Sequence, residues 1–153
     1  FATEMFSITL QDDIRTAQYK NMICSKNLIK KLLAAYKEGN ISVRTDSKDF
    51  DSWYNKRTAV DGKIDFHGRT REIYNLIRGV AAPFPGAFAY AGEEKVTVWE
   101  AQPFDEMIDF SAYAPGEVID VFDGHPIVRT VDGSLLIKKY ESAKELQAGD
   151  VLA

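Results

Sequence analysis

Residues 117–140 read EVIDVFDGHPIVRTVDGSLLIKKY, and this stretch decides the fold. Its apolar runs are separated by two Asp-Gly pairs, Asp123-Gly124 and Asp132-Gly133. An Asp-Gly pair between apolar runs is a strong signal for a tight β-hairpin, because glycine adopts the positive φ that such turns require. The stretch therefore predicts three consecutive antiparallel strands.

Further strands and a short helix are predicted before this stretch. The strand candidates are Ala87–Ala91, Lys95–Ala101, Met107–Tyr113, Glu117–Phe122, His125–Val131 and Ser134–Tyr140. A helix is predicted at Thr70–Val80, because apolar residues recur at i, i+3, i+4 and i+7 from Ile73 and Pro83 cannot continue it. Five or six short strands favour a small closed or partly open barrel, which removes exposed sheet edges. We expect an α+β fold.

A long amphipathic helix is predicted at residues 12–38. Apolar residues recur there at helical spacing, Asp12 and Asp13 suit its N-terminal end, and Gly39-Asn40 suits its C-cap. A solitary helix would leave its apolar stripe in water, so we expect another domain or a homodimer to cover it. Polar residues 41–67 are interpreted as a linker.

Charge is unevenly distributed along the chain. Residues 1–82 carry fourteen Lys and Arg against ten Asp and Glu, whereas residues 83–153 carry five against thirteen. An acidic surface repels a phosphate backbone, so the second half is not expected to bind nucleic acid. The linker still offers a local basic strip made of Arg44, Lys48, Lys56, Arg57 and Lys63.

Several features indicate the compartment. The longest uncharged stretches are too short and too rich in proline and glycine to cross a bilayer, so no membrane contact is expected. The lone Cys24 cannot form an internal disulfide, and the first residues lack the basic and apolar regions of a signal peptide. A cytoplasmic location is therefore expected. The sequence opens at Phe1 in a strand-like run, and we expect it to be a fragment of a longer protein.

Titratable residues give only weak signals for catalysis. Asp61 and Asp65 could form an acid/base pair or hold a metal, but a turn at Asp61-Gly62 explains them better. His67 and His125 lack ligands at regular spacing, so structural or surface roles are favoured over a metal site. Cys24 lies on the apolar side of the long helix and is interpreted as a core thiol.

The run Pro83-Phe84-Pro85-Gly86-Ala87-Phe88 has two interpretations. It could shape a substrate pocket, since its prolines stiffen the chain and Gly86 permits close approach of the backbone. Alternatively, it simply connects the helix to the first strand, with its aromatic side chains filling the barrel. The second interpretation is somewhat favoured.

A resemblance goes further than these patterns. Residues 56–66 (KRTAVDGKIDF), 74–80 (YNLIRGV) and 83–88 (PFPGAF) are similar to the C-terminal part of formyltransferases that use formyl-tetrahydrofolate. Residues 114–119, 131–137 and 146–150 also resemble this family, which usually has Trp where this chain has Phe66. The family is split between sugar-nucleotide N-formyltransferases and methionyl-tRNA formyltransferases.

The resemblance implies a domain organisation and a division of labour. Residues 1–40 would be the end of an N-terminal Rossmann-like catalytic domain, 41–67 a linker, and 68–153 an OB-like barrel. The catalytic residues and the site for formyl-tetrahydrofolate would lie upstream, in a missing domain that is this chain's partner. This chain would then hold no catalytic, cofactor-binding or metal-binding residue and would be inactive alone. The candidates for residues next to the acceptor substrate are Arg57, Thr58, Phe84, Pro85 and Gly86.

Three functions stay open at this point. The acidic barrel disfavours a tRNA acceptor. Residues 87–90 and 95–99 resemble the sugar branch more closely, especially formyltransferases acting on UDP-linked 4-amino-arabinose. We therefore expect the acceptor to be the amine of a sugar nucleotide. The alternatives are a tRNA-binding domain of a methionyl-tRNA formyltransferase, which the charge disfavours, and a free-standing interaction module without an enzymatic parent.

Overall fold

The computed structural model describes residues 2–42 and 55–153. The chain divides into two compact units, Phe1–Arg57 and Thr58–Ala153. The division falls inside the segment 41–67 that the sequence indicates as a linker. Of the basic residues predicted there, Arg44 and Lys48 lie outside the described residues.

The first unit contains helix α1, which spans Ile14–Lys37 and lies inside the predicted range 12–38. Asp13 caps its N-terminus, since Asp13 Oδ1 accepts a hydrogen bond from the Thr16 amide at 2.8 Å. In return, the Asp13 amide donates to Thr16 Oγ1 at 3.0 Å. The helix ends where Gly39 adopts a left-handed φ of 68°. Among the residues that the structure describes, no helix is long and apolar enough to span a membrane.

A segment without regular secondary structure, residues 2–9, is tied to α1 by lysine side chains. Lys20 Nζ donates to the Ser7 carbonyl at 3.0 Å and pairs with the buried carboxylate of Asp12. Lys31 pairs with Glu4. These contacts hold residues 2–12 along the helix.

No residue of α1 is buried. Cys24 is half-buried, so the expectation that it is a core thiol does not hold within this unit. Large apolar side chains of the helix face solvent, namely Tyr19, Met22, Ile23, Ile29, Leu32, Leu33 and Tyr36. The first unit thus leaves an extensive apolar surface uncovered.

The second unit combines two helices with one antiparallel sheet, which makes it α+β. A 3-10 helix spans Ala59–Gly62. Helix α2 spans Thr70–Val80, the range predicted for it. The strands are β1 (Ala87–Ala91), β2 (Glu94–Asp105), β3 (Val118–Phe122), β4 (His125–Arg129) and β5 (Ser134–Glu141). They form an open five-stranded sheet in the order β1-β2-β5-β4-β3.

The predicted strand at Met107–Tyr113 is wrong, because this segment is a loop. Asp105 Oδ1 accepts hydrogen bonds from the amides of Met107 at 2.7 Å and Ile108 at 2.6 Å. A side chain that satisfies neighbouring amides competes with sheet pairing, so the chain turns instead of extending. Met107 is accordingly 92% exposed.

The linker expected at residues 41–67 is shorter than predicted. Ile64 and Phe66 are 1% and 3% exposed and belong to the core of the second unit. That core also takes Ile73 and Ile77 from α2 together with inward-facing residues of the sheet. Residues 58–67 therefore form part of the folded unit, anchored by the two buried apolar side chains.

The N-terminus of α2 is capped from a distant loop. The N-cap residue Arg69 has no acceptor side chain, and Asp132 supplies one. Asp132 Oδ1 accepts from the Thr70 amide at 2.7 Å and from Thr70 Oγ1 at 2.9 Å. Thr70 Oγ1 also lies 2.6 Å from Thr130 Oγ1, and both threonines are fully buried. This network ties α2 to the loop between β4 and β5.

Residues 149–153, here called the closing segment, hydrogen-bond to both edge strands. On the β1 side, the Tyr90 amide donates to the Ala153 carbonyl at 2.7 Å and the Ala153 amide returns a bond at 2.8 Å. On the β3 side, the Val118 amide donates to the Asp150 carbonyl at 2.8 Å. Leu152 is 2% exposed and packs into the core between the two edges.

Gly116 lets the closing segment approach the chain just before β3. The Leu152 amide donates to the Gly116 carbonyl at 2.8 Å. A Cβ added to Gly116 would lie 2.1 Å from the Leu152 carbonyl oxygen. No residue other than glycine fits this contact, because that separation is far below van der Waals distance.

We expect Gly116→Ala to destabilise the second unit more than Gly149→Ala does. Both glycines have a left-handed φ, 87° and 89°, so alanine strains the backbone by about 1–2 kcal/mol at either position. At Gly149 no atom lies within 4 Å of an added Cβ, whereas at Gly116 the Leu152 carbonyl must move. The free energy of unfolding from urea titration should fall by about a further 2 kcal/mol at Gly116.

Hydrogen exchange locates this effect. The amides of Tyr90 and Val118, which donate to the closing segment, should exchange faster in Gly116→Ala than in Gly149→Ala. Equal stability losses, with unchanged exchange at both amides, would contradict the role given to this close approach.

A second prediction concerns the cap of α2. Asp132→Ala should lower the free energy of unfolding by about 1 kcal/mol, since a helix N-terminal amide loses its acceptor. Asp132→Asn should keep most of that stability, because its amide oxygen still accepts from Thr70.

The pH dependence of the free energy of unfolding distinguishes the Asp132 carboxylate from the side-chain amide of the Asp132→Asn variant. Partial burial acts to raise the pKa of Asp132, but the hydrogen bonds from Thr70 outweigh it and the pKa is lowered. A carboxylate with a depressed folded pKa stabilises the fold above its unfolded pKa, and that contribution is lost as pH falls through the folded pKa. The stability difference between the wild type and Asp132→Ala should therefore shrink below about pH 4. If this difference in the free energy of unfolding stayed constant down to the pH of acid unfolding, the negative charge of Asp132 would not be what stabilises the cap.

Candidate functional site

The 3-10 helix touches the loop that follows α2. A Cβ added to Gly62 would lie 2.8 Å from the Gly86 carbonyl oxygen, so the two backbones meet without a side chain between them. Next to this contact, the Ile64 amide donates to the Phe88 carbonyl at 2.7 Å. The Gly86 amide donates to the Val80 carbonyl at 2.9 Å, which fixes the loop to the end of α2.

Gly86 in turn lies on the outward side chains of β2. A Cβ added to it would come within 2.8 Å of Thr97 and 2.9 Å of the Trp99 ring. Thr97 and Trp99 are outward because Val96 and Val98, which alternate with them, are buried. The indole nitrogen of Trp99 is sealed from solvent and has no hydrogen-bond partner within the described residues. The site thus has layers: the 3-10 helix contacts the loop that follows α2, and this loop contacts the Trp99 ring.

Four of the five predicted substrate-adjacent residues lie around this contact. Thr58 caps the 3-10 helix, and its amide donates to Asp61 Oδ2 at 2.6 Å. Phe84 is 44% exposed, Pro85 is exposed, and Gly86 is buried beneath them.

The fifth candidate, Arg57, is exposed and is the last residue of the first unit. Sequence reasoning did not identify Gly62 or Trp99 as members of the site. The alternation of inward and outward side chains along β2 predicts that Trp99 faces outward. No local sequence pattern predicts that Gly62 contacts Gly86.

Asp61 and Asp65 take local structural roles rather than forming a pair. Asp61 accepts from the amide and hydroxyl of Thr58. Asp65 Oδ1 accepts from the His67 amide at 2.9 Å and lies 3.2 Å from His67 Nδ1. The bond from the His67 amide, followed by that from its ring, lowers the pKa of Asp65. Within residues 2–42 and 55–153, no cluster of three His, Cys, Asp or Glu could hold a metal.

The two histidines lie in different places. His67 follows the buried Phe66 and faces solvent beside Asp65. His125 begins β4, where it is half-buried opposite Phe122. The surface and structural roles that the sequence favoured fit both positions.

A cleft of about 500 Å³ opens next to the 3-10 helix. One wall is residues 63–67 and the other is residues 151–153 of the closing segment, with Pro115 between them. Lys63, which lines the cleft, follows Gly62 directly and forms an isolated backbone β-bridge with Phe88 of β1. One wall of the cleft therefore directly follows the 3-10 helix of the layered contact in the chain.

Fold and surface together define the class of this unit: a small α+β domain whose cleft is built from the segment before α2 and the closing segment. The family model for the formyl transferase C-terminal domain matches residues 56–153, which is more than half of the chain. The chain therefore belongs to the formyl transferase C-terminal domain family.

Solved structures of HypX from Aquifex aeolicus have a similar fold. A multiply substituted HypX variant matches with a TM-score of 0.71 and 18% identity, over 94% of this chain and 25% of that one. HypX in complex with tetrahydrofolic acid matches with a TM-score of 0.68 and 18% identity, over 91% and 24%. This chain spans about a quarter of the length of these HypX chains.

We expect Gly62→Ala to separate the 3-10 helix from the loop. The added Cβ would overlap the Gly86 carbonyl, at a cost of about 1–3 kcal/mol. The amides of Ile64 and Gly86 should then lose protection from hydrogen exchange, because their acceptors lie on either side of this contact.

Gly79→Ala is the matched control for this substitution. Gly79 lies within α2, and no atom lies within 4 Å of its added Cβ. Alanine there should raise the free energy of unfolding by about 0.5–1 kcal/mol and leave both amides protected. If Gly62→Ala were as well tolerated as Gly79→Ala, the layered arrangement would be wrong.

Proposed function

We propose that this chain is the noncatalytic C-terminal part of an enzyme that transfers a formyl group from formyl-tetrahydrofolate to the amine of a sugar nucleotide. Membership of the formyl transferase C-terminal family supports the reaction class. The use of a folate is in line with the tetrahydrofolic acid complex of the similar HypX. The proposal includes a cytoplasmic location, favoured by the lone cysteine.

The proposed acceptor is chosen from the net charge of the second unit. Residues 58–153 contain nine Lys and Arg against sixteen Asp and Glu, a surplus of seven negative charges. A tRNA carries one phosphate per nucleotide, and its binding depends on cations that displace counterions. A domain of this charge disfavours a polyanion and fits a small acceptor recognised by a few contacts.

The first unit supports a parent with a larger N-terminal domain. In this proposal, residues 1–40 are the end of a Rossmann-like catalytic domain, 41–67 contain the linker, and 68–153 lie in the C-terminal domain. Lysine side chains of α1 hold segment 2–12, yet many apolar side chains of the unit are exposed, as expected for the edge of a layered α/β domain. That domain would cover the apolar face and supply the catalytic residues and the folate site.

The second unit is proposed to act as an OB-like barrel that helps to hold the acceptor. The sheet itself is open, but the closing segment pairs with β1 and β3 as a further short strand would. The residues proposed to face the acceptor are Thr58 and Phe84–Gly86, with Arg57 beside them in sequence.

The transfer reaction is tested with the parent enzyme. Supplied with formyl-tetrahydrofolate, it should formylate a UDP-linked 4-amino sugar, while this chain alone should give no product. Transfer requires a positioned general base and a bound donor, which the upstream domain is proposed to supply. Turnover by the isolated chain would refute the noncatalytic role, and a parent enzyme that formylates only methionyl-tRNA would refute the sugar acceptor.

Binding of tRNA tests the alternative, for which the exposed pair Lys56 and Arg57 is the favourable observation. We expect no binding by this chain at about 0.15 M salt, and only weak binding at low salt that falls steeply as salt is added. Replacing both residues by alanine is compared with replacing Lys138 and Lys139 of β5 as a control of equal charge. Tight binding at 0.15 M salt that only the first pair abolishes would favour a methionyl-tRNA formyltransferase.

A further inference from the structure

The cleft beside the closing segment has the size of a small-molecule site. Its volume of about 500 Å³ lies within the range of about 300–1,000 Å³ found for ligand pockets. Both of its walls are main chain anchored in the core. Ile64 and Phe66 anchor one wall and Leu152 the other. The cleft is thus formed before any ligand arrives, which lowers the entropic cost of binding.

Three ionisable side chains stand in a row along one wall. In segment 63–67 the exposed Lys63, Asp65 and His67 alternate with the buried Ile64 and Phe66. Alternate residues of an extended chain lie about 6–7 Å apart at Cα, so Lys63 and Asp65 are neighbours on this wall. The chain then turns, and Asp65 Oδ1 lies 3.2 Å from His67 Nδ1. The row therefore offers a cation and an anion to the same ligand.

The polar atoms of this row retain binding capacity. Asp65 uses only Oδ1 for its two contacts with His67. In the described part of the chain, neither Asp65 Oδ2 nor the Lys63 ammonium has a hydrogen bond or an ion pair. A ligand can reach both groups without breaking an existing bond.

The order of charges selects the ligand chemistry. A simple anion would be attracted by Lys63 and repelled by Asp65, because the carboxylate lies next to the ammonium in the row. A ligand that carries a phosphate at one end and an amine at the other meets an opposite charge at each. An amino-sugar phosphate carries these two groups on one small ring.

We propose that this cleft binds an amino-sugar phosphate. Lys63 pairs with the phosphate, Asp65 accepts from the amine, and His67 hydrogen-bonds to a ring hydroxyl. This assignment rests on the proposed function, whose acceptor contains such a group. The cleft also borders the predicted loop, since Gly62 contacts Gly86 and Ile64 bonds to Phe88.

The site is tested by NMR titration of the full 153-residue chain with two ligands that differ only at one group. Glucosamine 6-phosphate carries an amine where glucose 6-phosphate carries a hydroxyl. Amides of residues 63–67 and 151–153 should shift, and the amine-bearing ligand should bind about twofold to fivefold more tightly, as expected for one exposed ion pair.

Substitutions assign the two ends of the ligand. Lys63→Gln should lower the affinity for both ligands by a similar factor of about two to five. Lys139→Gln on β5 should leave both affinities unchanged. Asp65→Asn should remove the preference for the amine, and its amide oxygen can still accept from the His67 amide, which preserves the local turn.

Several results would overturn the site. These are equal affinity for the two sugar phosphates, equally tight binding of inorganic phosphate, and shifts confined to residues outside the cleft. The titration needs no transfer reaction. A negative result therefore rejects this cleft, whereas the proposed acceptor is judged by the assay on the parent enzyme.

Discussion

The pairing of residues 149–153 with both edge strands is the constraint on which the second unit depends. Without these bonds, β1 and β3 would each present unpaired amides and carbonyls, which invite aggregation. With them, Leu152 fills the space between the edges and the Gly116 contact fixes its depth. The same segment forms one wall of the cleft. Stability of the sheet and the shape of the candidate site are therefore set by one interaction.

Two Asp-Gly pairs with the same local signal serve different purposes. Asp123-Gly124 forms the predicted hairpin, with φ values of 52° and 78°. At Asp132-Gly133 the aspartate instead caps α2, sixty-two residues away in sequence. Local propensity correctly placed strands on both sides of each pair. It could not reveal the second role, because that role depends on a tertiary contact.

Much of the fold follows from the sequence because its signals are local. Helix α2 begins and ends as predicted, since apolar spacing and Pro83 define it, and β1 likewise matches its predicted bounds. The predicted strand at Met107–Tyr113 failed where Asp105 satisfies backbone amides through its side chain. Apolar content alone could not distinguish such a loop from a strand.

The candidate site is even harder to predict from local sequence patterns than the strands are. Phe84–Gly86 could be singled out from sequence because proline and glycine have local conformational meaning. The row from Lys63 to His67 could not, because two apolar residues are too few to distinguish a strand-like segment from a polar linker. Its anchoring depends on Phe88 and its opposite wall on Leu152, both remote in sequence. A short polar segment thus becomes one wall of a cleft only when distant elements bury its alternate residues, so its chemistry can be assessed only once the fold is known.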